Sequence, residues 1–229
     1  MPNRKVLAVL GAAQFLMVLD QAVMNVAISQ LVADFDTTVT TIQAVIALYA
    51  LTMAALMLTG GKVGDIIGRR RAFIIGICIY ATGSALTGAS WSVPSLTLGW
   101  SILEGIGAAL VLPALVALTA GNFQGSDRAI AYGVLGGVAG AGIAVGPILG
   151  GWVTTDFTWR LVFLGEVVAA AGILLGTRWI AEPTREARVP RARALEPPPG
   201  AGARDDRPAG RARARRRRSV RDRGDRDPR

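Results

Sequence analysis

Gly142-Ile143-Ala144-Val145-Gly146-Pro147-Ile148-Leu149-Gly150-Gly151 is the stretch whose reading decides the fold. Glycines at 142, 146 and 150 recur every four residues and leave one bare stripe along a helix, so a neighbouring backbone can come close. Pro147 lacks an amide donor and clashes with the preceding turn, which bends the helix. In lipid such a bend survives only where neighbouring helices or polar groups satisfy the freed carbonyl. The stretch therefore reads as a close-packed, kinked element of a helical membrane bundle.

The rest of the chain agrees. Of its 229 residues 52% are hydrophobic, and mean hydropathy is +0.43. Six apolar segments, at about 6–29, 44–63, 72–91, 95–119, 130–153 and 161–181, approach the roughly 20 residues needed to cross the hydrocarbon core. Short polar connectors separate them, among them Gly68-Arg69-Arg70-Arg71. The first run follows Met1-Pro2-Asn3-Arg4-Lys5, as in a signal peptide, but extends past Asp20 to about Leu31 and is the first of several; it reads as an uncleaved span.

Charge divides the chain in two. Residues 1–181 carry nine Lys/Arg and eight Asp/Glu, whereas 182–229 carry sixteen Arg and eight Asp/Glu. The second part, rich in Arg, Pro and Gly, holds almost nothing that could form a core and reads as disordered. An Arg-rich cytoplasmic tail can meet anionic lipid, or nucleic acid without specificity. Arg, Ala, Gly and Pro also share GC-rich codons, so a shifted reading frame yields the same composition; disorder or a shifted frame is preferred to a dedicated binding tail.

Several chemistries are excluded. The chain has no His, so histidine metal sites and histidine acid–base catalysis are absent, and no metal site is assigned. Cys78 is the single cysteine, which rules out an intrachain disulfide. There is no phosphate-cradling Gly-x-x-x-x-Gly-Lys-Ser/Thr loop. Nothing points to an enzyme or a bound cofactor. With the N-terminus in the cytoplasm, every body cation except Arg160 falls inside, while Asp34, Asp36 and Asp156 fall outside. Both termini are therefore expected to be cytoplasmic.

Four motifs between about 19 and 165 resemble the major facilitator superfamily, nearest to its drug:proton antiporters of the fourteen-span type. Leu19-Asp20-Gln21-Ala22-Val23-Met24-Asn25-Val26-Ala27 is similar to that branch's first-helix signature. The run from Gly61 through Gly64, Asp65 and Gly68 to Arg69, Arg70 and Arg71 resembles the loop motif between helices two and three. The stretch from Gly142 to Gly151, with Gly146, Pro147 and Gly150, resembles the antiporter motif of helix five. Trp159-Arg160-Leu161-Val162-Phe163 resembles the opening of helix six. The fourth-helix motif, usually Arg-x-x-Gln-Gly-x-Gly-Ala-Ala, departs here: Ser101 replaces the arginine and Glu104 the amide. The resemblance implies an all-α integral membrane protein whose six helices form two inverted three-helix repeats, the N-terminal half of the family's fold.

Asp20 and Glu104 are the candidates for proton coupling or substrate contact, with Asn25 and Ser101 beside them in the motifs. Acids in hydrocarbon are costly to keep charged and are by default functional hypotheses. For both, the alternative is a structural hydrogen bond within the bundle. Glu166 is a weaker candidate, expected near the outer interface and paired with Arg160. Gly61, Gly64, Asp65, Gly68 and the three arginines either stabilise one access state, as the resemblance implies, or keep the loop inside; Gly68 suits a left-handed helix stop. Glycines 133, 136, 137, 140, 142, 146 and 150 read as packing. Trp100, Trp152 and Trp159 read as an interfacial belt.

By resemblance, the expected function is proton-driven efflux of small lipophilic or cationic drugs across a bacterial plasma membrane. The expected partners are the bilayer, a drug-like substrate, and either a second copy or a C-terminal half chain; no specific nucleic acid is expected. The family has twelve or fourteen spans, so six are expected to transport poorly or not at all alone. The alternatives are an inactive fragment and a half-transporter that needs a partner.

Overall fold

The computed structural model describes residues 4–182. The remaining residues, and with them the expected disorder or shifted frame of the tail beyond Glu182, lie outside the described part. Six helices long and apolar enough to cross a membrane follow one another, with no strand among the described residues. They are α1 (Arg4–Val26), α2 (Val39–Ile67), α3 (Arg69–Gly88), α4 (Val93–Asn122), α5 (Gly125–Asp156) and α6 (Arg160–Trp179). The shortest, at 20 residues, reaches about 30 Å at roughly 1.5 Å per residue. A short helix, Ile28–Asp34, prolongs α1 beyond Ala27.

Local chemistry sets the ends. The Thr38 hydroxyl accepts the Thr41 amide at 3.2 Å and starts α2. Ser92 and Ser95 form a reciprocal capping box at the start of α4, with Pro94 in its first turn. The helices overrun the apolar segments because their polar end residues stay helical. Arg69, Arg70 and Arg71 thus form the first turn of α3 and not a connector; Gly68 alone separates α2 from α3. Its φ of 104° with ψ of 142° is accessible to glycine but is not the left-handed helix stop that the sequence implied.

Glycine seams hold the bundle. Between α3 and α4 they are reciprocal: a Cβ on Gly83 would come 2.7 Å from the Gly99 carbonyl oxygen, and one on Gly107 would come 2.9 Å from that of Gly76. Between α1 and α5, Gly142 faces Val18 at 3.0 Å, Gly146 faces Ala22, and Gly150 faces Val23 at 3.1 Å. α2 and α4 meet at Gly60, against the Ala109 carbonyl, and at Gly105, 3.0 Å from Thr52. The upstream glycines of α5 differ from expectation. Among the described residues nothing lies within 4 Å of a Cβ on Gly133, Gly136, Gly137 or Gly140, so these do not pack there. α5 runs as one helix through Pro147, whose side is exposed.

α2 and α5 bury least, with 17% and 22% of their spanning windows inside, and they turn Leu51, Leu58, Ile143 and Ile148 outward. In α4 the stretch Thr97–Glu104 is π-helical, a widened turn that rotates the following residues and often accompanies functional sites.

Gly146→Ala is expected to destabilise the purified protein by about 1–3 kcal/mol through overpacking against Ala22, whereas Gly140→Ala changes little. Unfolding in graded denaturing detergent, followed by tryptophan emission, checks this; equal loss in both variants would contradict the seam.

Candidate functional site

Three acids from three helices meet inside the bundle: Asp20 of α1, Glu104 of α4 and Glu166 of α6. All are buried, and one carboxylate oxygen from each lies within 4.8 Å of the other two. A donor fixes one oxygen of each carboxylate. The Trp100 indole N–H donates to Asp20 Oδ1 at 2.9 Å, the Thr87 hydroxyl to Glu104 Oε1 at 3.1 Å, and the Ser84 hydroxyl to Glu166 Oε2 at 3.0 Å. Asp20 Oδ2, Glu104 Oε2 and Glu166 Oε1 have no hydrogen-bond partner among the described residues. None of the three forms an ion pair among the described residues, and the segments 6–61 and 72–127 contain no Lys or Arg.

The surrounding fold explains the geometry. Tyr80, Ser84 and Thr87 lie four and three residues apart and share one face of α3. The glycine seam brings that face against α4, where a Cβ on Gly83 would come 2.6 Å from Glu104 Cγ. The π-helical stretch presents Trp100 and Glu104 to the same interior. Tyr49 of α2 stacks on Trp100, with ring centroids 4.5 Å apart. A crevice of about 580 Å³ between α1, α5 and α6, walled by residues such as Phe15, Leu19, Val153 and Val162, has Glu166 as the one charged residue in its lining.

The sequence candidates divide accordingly. Asp20 and Glu104 belong to the cluster. Ser101 does not: its hydroxyl donates to the Val45 carbonyl at 2.8 Å and ties α4 to α2. Asn25 is exposed and donates to the Gln21 carbonyl at 2.7 Å, one turn back on its own helix. Glu166, expected near the interface beside Arg160, is instead the third member. Arg160 turns away, donating to the Gly88 carbonyl at 3.1 Å and to that of Ser90, with its guanidinium 4.5 Å above the Trp159 ring. Trp100 and Trp159 are buried and so are not belt residues, whereas Trp152 is more than half exposed. The polar spacing Tyr80, Ser84, Thr87 in an apolar helix was the signal that could have revealed the donor face.

Two polar locks close the ends. At one, the Trp159 indole donates to Asp34 Oδ2 at 2.7 Å, and its ring meets Phe35 and Phe163 edge-on at 5.9 Å. At the other, Arg69 pairs with Asp65 and donates to the Gly61 carbonyl at 2.9 Å, its side chain lying over Gly64. Glu182 accepts the Arg69 amide at 2.6 Å and the Arg70 amide at 2.9 Å, capping α3, and Arg70 Nε donates to the Thr177 carbonyl at 3.0 Å. The Asn122 amide brackets the Ala181 backbone with two hydrogen bonds of 3.1 Å. Glu182, assigned by composition to the tail, thus pins the junction between α2 and α3. Arg71 is exposed.

The model of the Major Facilitator Superfamily matches residues 10–222. The chain belongs to the major facilitator superfamily. Its curated relatives include the puromycin resistance protein of Streptomyces alboniger, 38% identical over 81% of this chain, and the tetracenomycin C resistance and export protein of Streptomyces glaucescens, 30% identical over 76%. The chain spans 37% and 32% of the lengths of these two relatives. A peptide transporter solved with sulfate shares the fold, with a TM-score of 0.68 at 16% identity, covering 76% of this chain and 37% of that one. This major facilitator chain is thus a multi-pass membrane protein, with six helices of spanning length among the described residues, and relatives bear the names of drug-resistance and export proteins.

Removing the α3 cap by Glu182→Ala is expected to speed trypsin cleavage at Arg69–Arg71 several-fold in detergent-purified protein, with Glu182→Gln between it and the unaltered chain. Unchanged cleavage in both variants would show that the cap does not hold the loop.

Proposed function

We propose that the chain forms the six-helix half of an exporter that couples proton entry to the outward passage of small lipophilic or cationic drugs. The carrying observation is the meeting of Asp20, Glu104 and Glu166 with no basic residue beside them. Negative charge in a dry interior must be matched by bound protons or a bound cation. An acid cluster that gains and loses protons as its access changes gives the drug a binding energy that alternates between the two sides. Relatives named for drug resistance and export support this direction. The proton gradient is the energy source, with no organic cofactor. The setting is a bacterial plasma membrane with both ends in the cytoplasm, the loop arginines inside and Asp34 and Asp156 outside.

The small-residue face of α5 at Gly133, Gly136, Gly137 and Gly140, against which nothing packs among the described residues, favours a partner half or a second copy over a solitary bundle. In this reading drug and proton pass between two halves, and the tail serves no specific nucleic acid.

Joining residues 1–182 to the C-terminal half of the Streptomyces alboniger puromycin resistance protein supplies further spans. In efflux-deficient cells the fusion is expected to lower drug accumulation, and dissipating the proton gradient or introducing Asp20→Asn should restore accumulation at least ten-fold; the 229-residue chain alone leaves it unchanged. A membrane-inserted fusion without efflux, or efflux indifferent to the gradient, would overturn the proposal. Orientation has its own check in a Cys78→Ala background: an impermeant maleimide given to intact cells should label Asp156→Cys and spare Arg71→Cys.

A further inference from the structure

We propose that Asp20, Glu104 and Glu166 form a binding site for one hard metal cation, coordinated by oxygen alone and completed by the hydroxyl of Tyr80. The inference uses the same carboxylates as the transport reading but does not rest on transport.

Spacing is the first argument. Three ligands around one ion at about 2.3–2.6 Å stand at most about 5 Å apart, and the three carboxylate oxygens lie within 4.8 Å of one another. The second argument is the division of labour within each carboxylate. One oxygen is held by Trp100, Thr87 or Ser84, and the other is left without a partner. Metal-ligating carboxylates show this arrangement, with outer donors fixing the orientation of the inner ligand.

The third argument is independent of the acids. The Tyr80 hydroxyl is fully buried beside Asp20 and makes no hydrogen bond of ordinary geometry among the described residues. A buried phenol oxygen left idle costs free energy, and one placed beside three carboxylates supplies a further oxygen ligand. Tyr49, also buried, stacks on Trp100.

Ligand chemistry then selects the ion. An all-oxygen set excludes thiolate- and imidazole-seeking metals; the chain has no His, and Cys78 is exposed. Magnesium demands shorter bonds of about 2.0–2.1 Å and gives up water reluctantly. Sodium and calcium share the required chemistry. Either would displace protons from the carboxylates as it binds.

The test uses the purified 229-residue chain in detergent and weak buffer, titrated separately with sodium, calcium, magnesium and choline chlorides. Tryptophan emission reports on Trp100, and a pH dye reports proton release. Sodium or calcium should give a saturable emission change with proton release, while magnesium and choline give neither. Glu104→Gln and Glu166→Gln should weaken the apparent affinity at least ten-fold. Ser84→Ala, which keeps every carboxylate, should weaken it several-fold, and Trp100→Phe should lose the emission change but keep proton release. No saturable response to sodium or calcium in the unaltered chain overturns the site, whatever the variants do. So does a response that both Gln variants retain undiminished. A chain without ion response whose fusion still exports drug loses this inference alone; an ion-binding chain whose fusion fails to export loses only the transport reading.

Discussion

Close backbone approach between α3 and α4 is the constraint on which the site depends. The hydroxyl of Thr87 sits on a short stem and reaches Glu104 of α4 only where the two helices come close, while Ser84 on the same face of α3 reaches Glu166 of α6. Gly76, Gly83, Gly99 and Gly107 allow that contact from both sides, and each would meet backbone or side chain if it carried even a methyl group. Lipid offers no hydrophobic incentive for helices to associate, so dispersion contacts and buried polar bonds must supply it. The seam provides the first, and the donor–acid pairs provide the second.

The membrane character, the six spans and the superfamily were legible because each rests on local properties: apolar length, charge on short loops, glycine repeats. Asp20 and Glu104 were legible for the same reason, since any acid in such a run stands out. Glu166 stood out equally but was misplaced, because sequence gives depth along a helix only to within a few residues and says nothing of rotation. Rotation decides which side chains share an interior. It sends Ser101 to the Val45 carbonyl and Asn25 to the open side, and it brings Trp100 inward from a position that resembled a belt. The π-helical turn adds a rotation that no regular period anticipates.

The glycines of α5 show the same division. One face carries Gly142, Gly146 and Gly150 into α1, while Gly133, Gly136, Gly137 and Gly140 look out on nothing among the described residues. A sequence pattern registers both as small residues at helical spacing. The distinction lies wholly in what stands opposite. The puromycin and tetracenomycin C resistance proteins are more than twice as long as this chain, which spans 37% and 32% of their lengths.

Glu182 has a consequence for biosynthesis. The cap of α3 is supplied by a residue more than a hundred positions downstream, past the last span. A ribosome releases the chain from its N-terminus, so α3 enters the membrane while its first amides still face water. The junction between α2 and α3 can settle only after α6 has been inserted and Asn122 has caught Ala181. Completion of the six-helix unit is therefore signalled at this end of the bundle by its final residues, which fasten a turn made much earlier in translation.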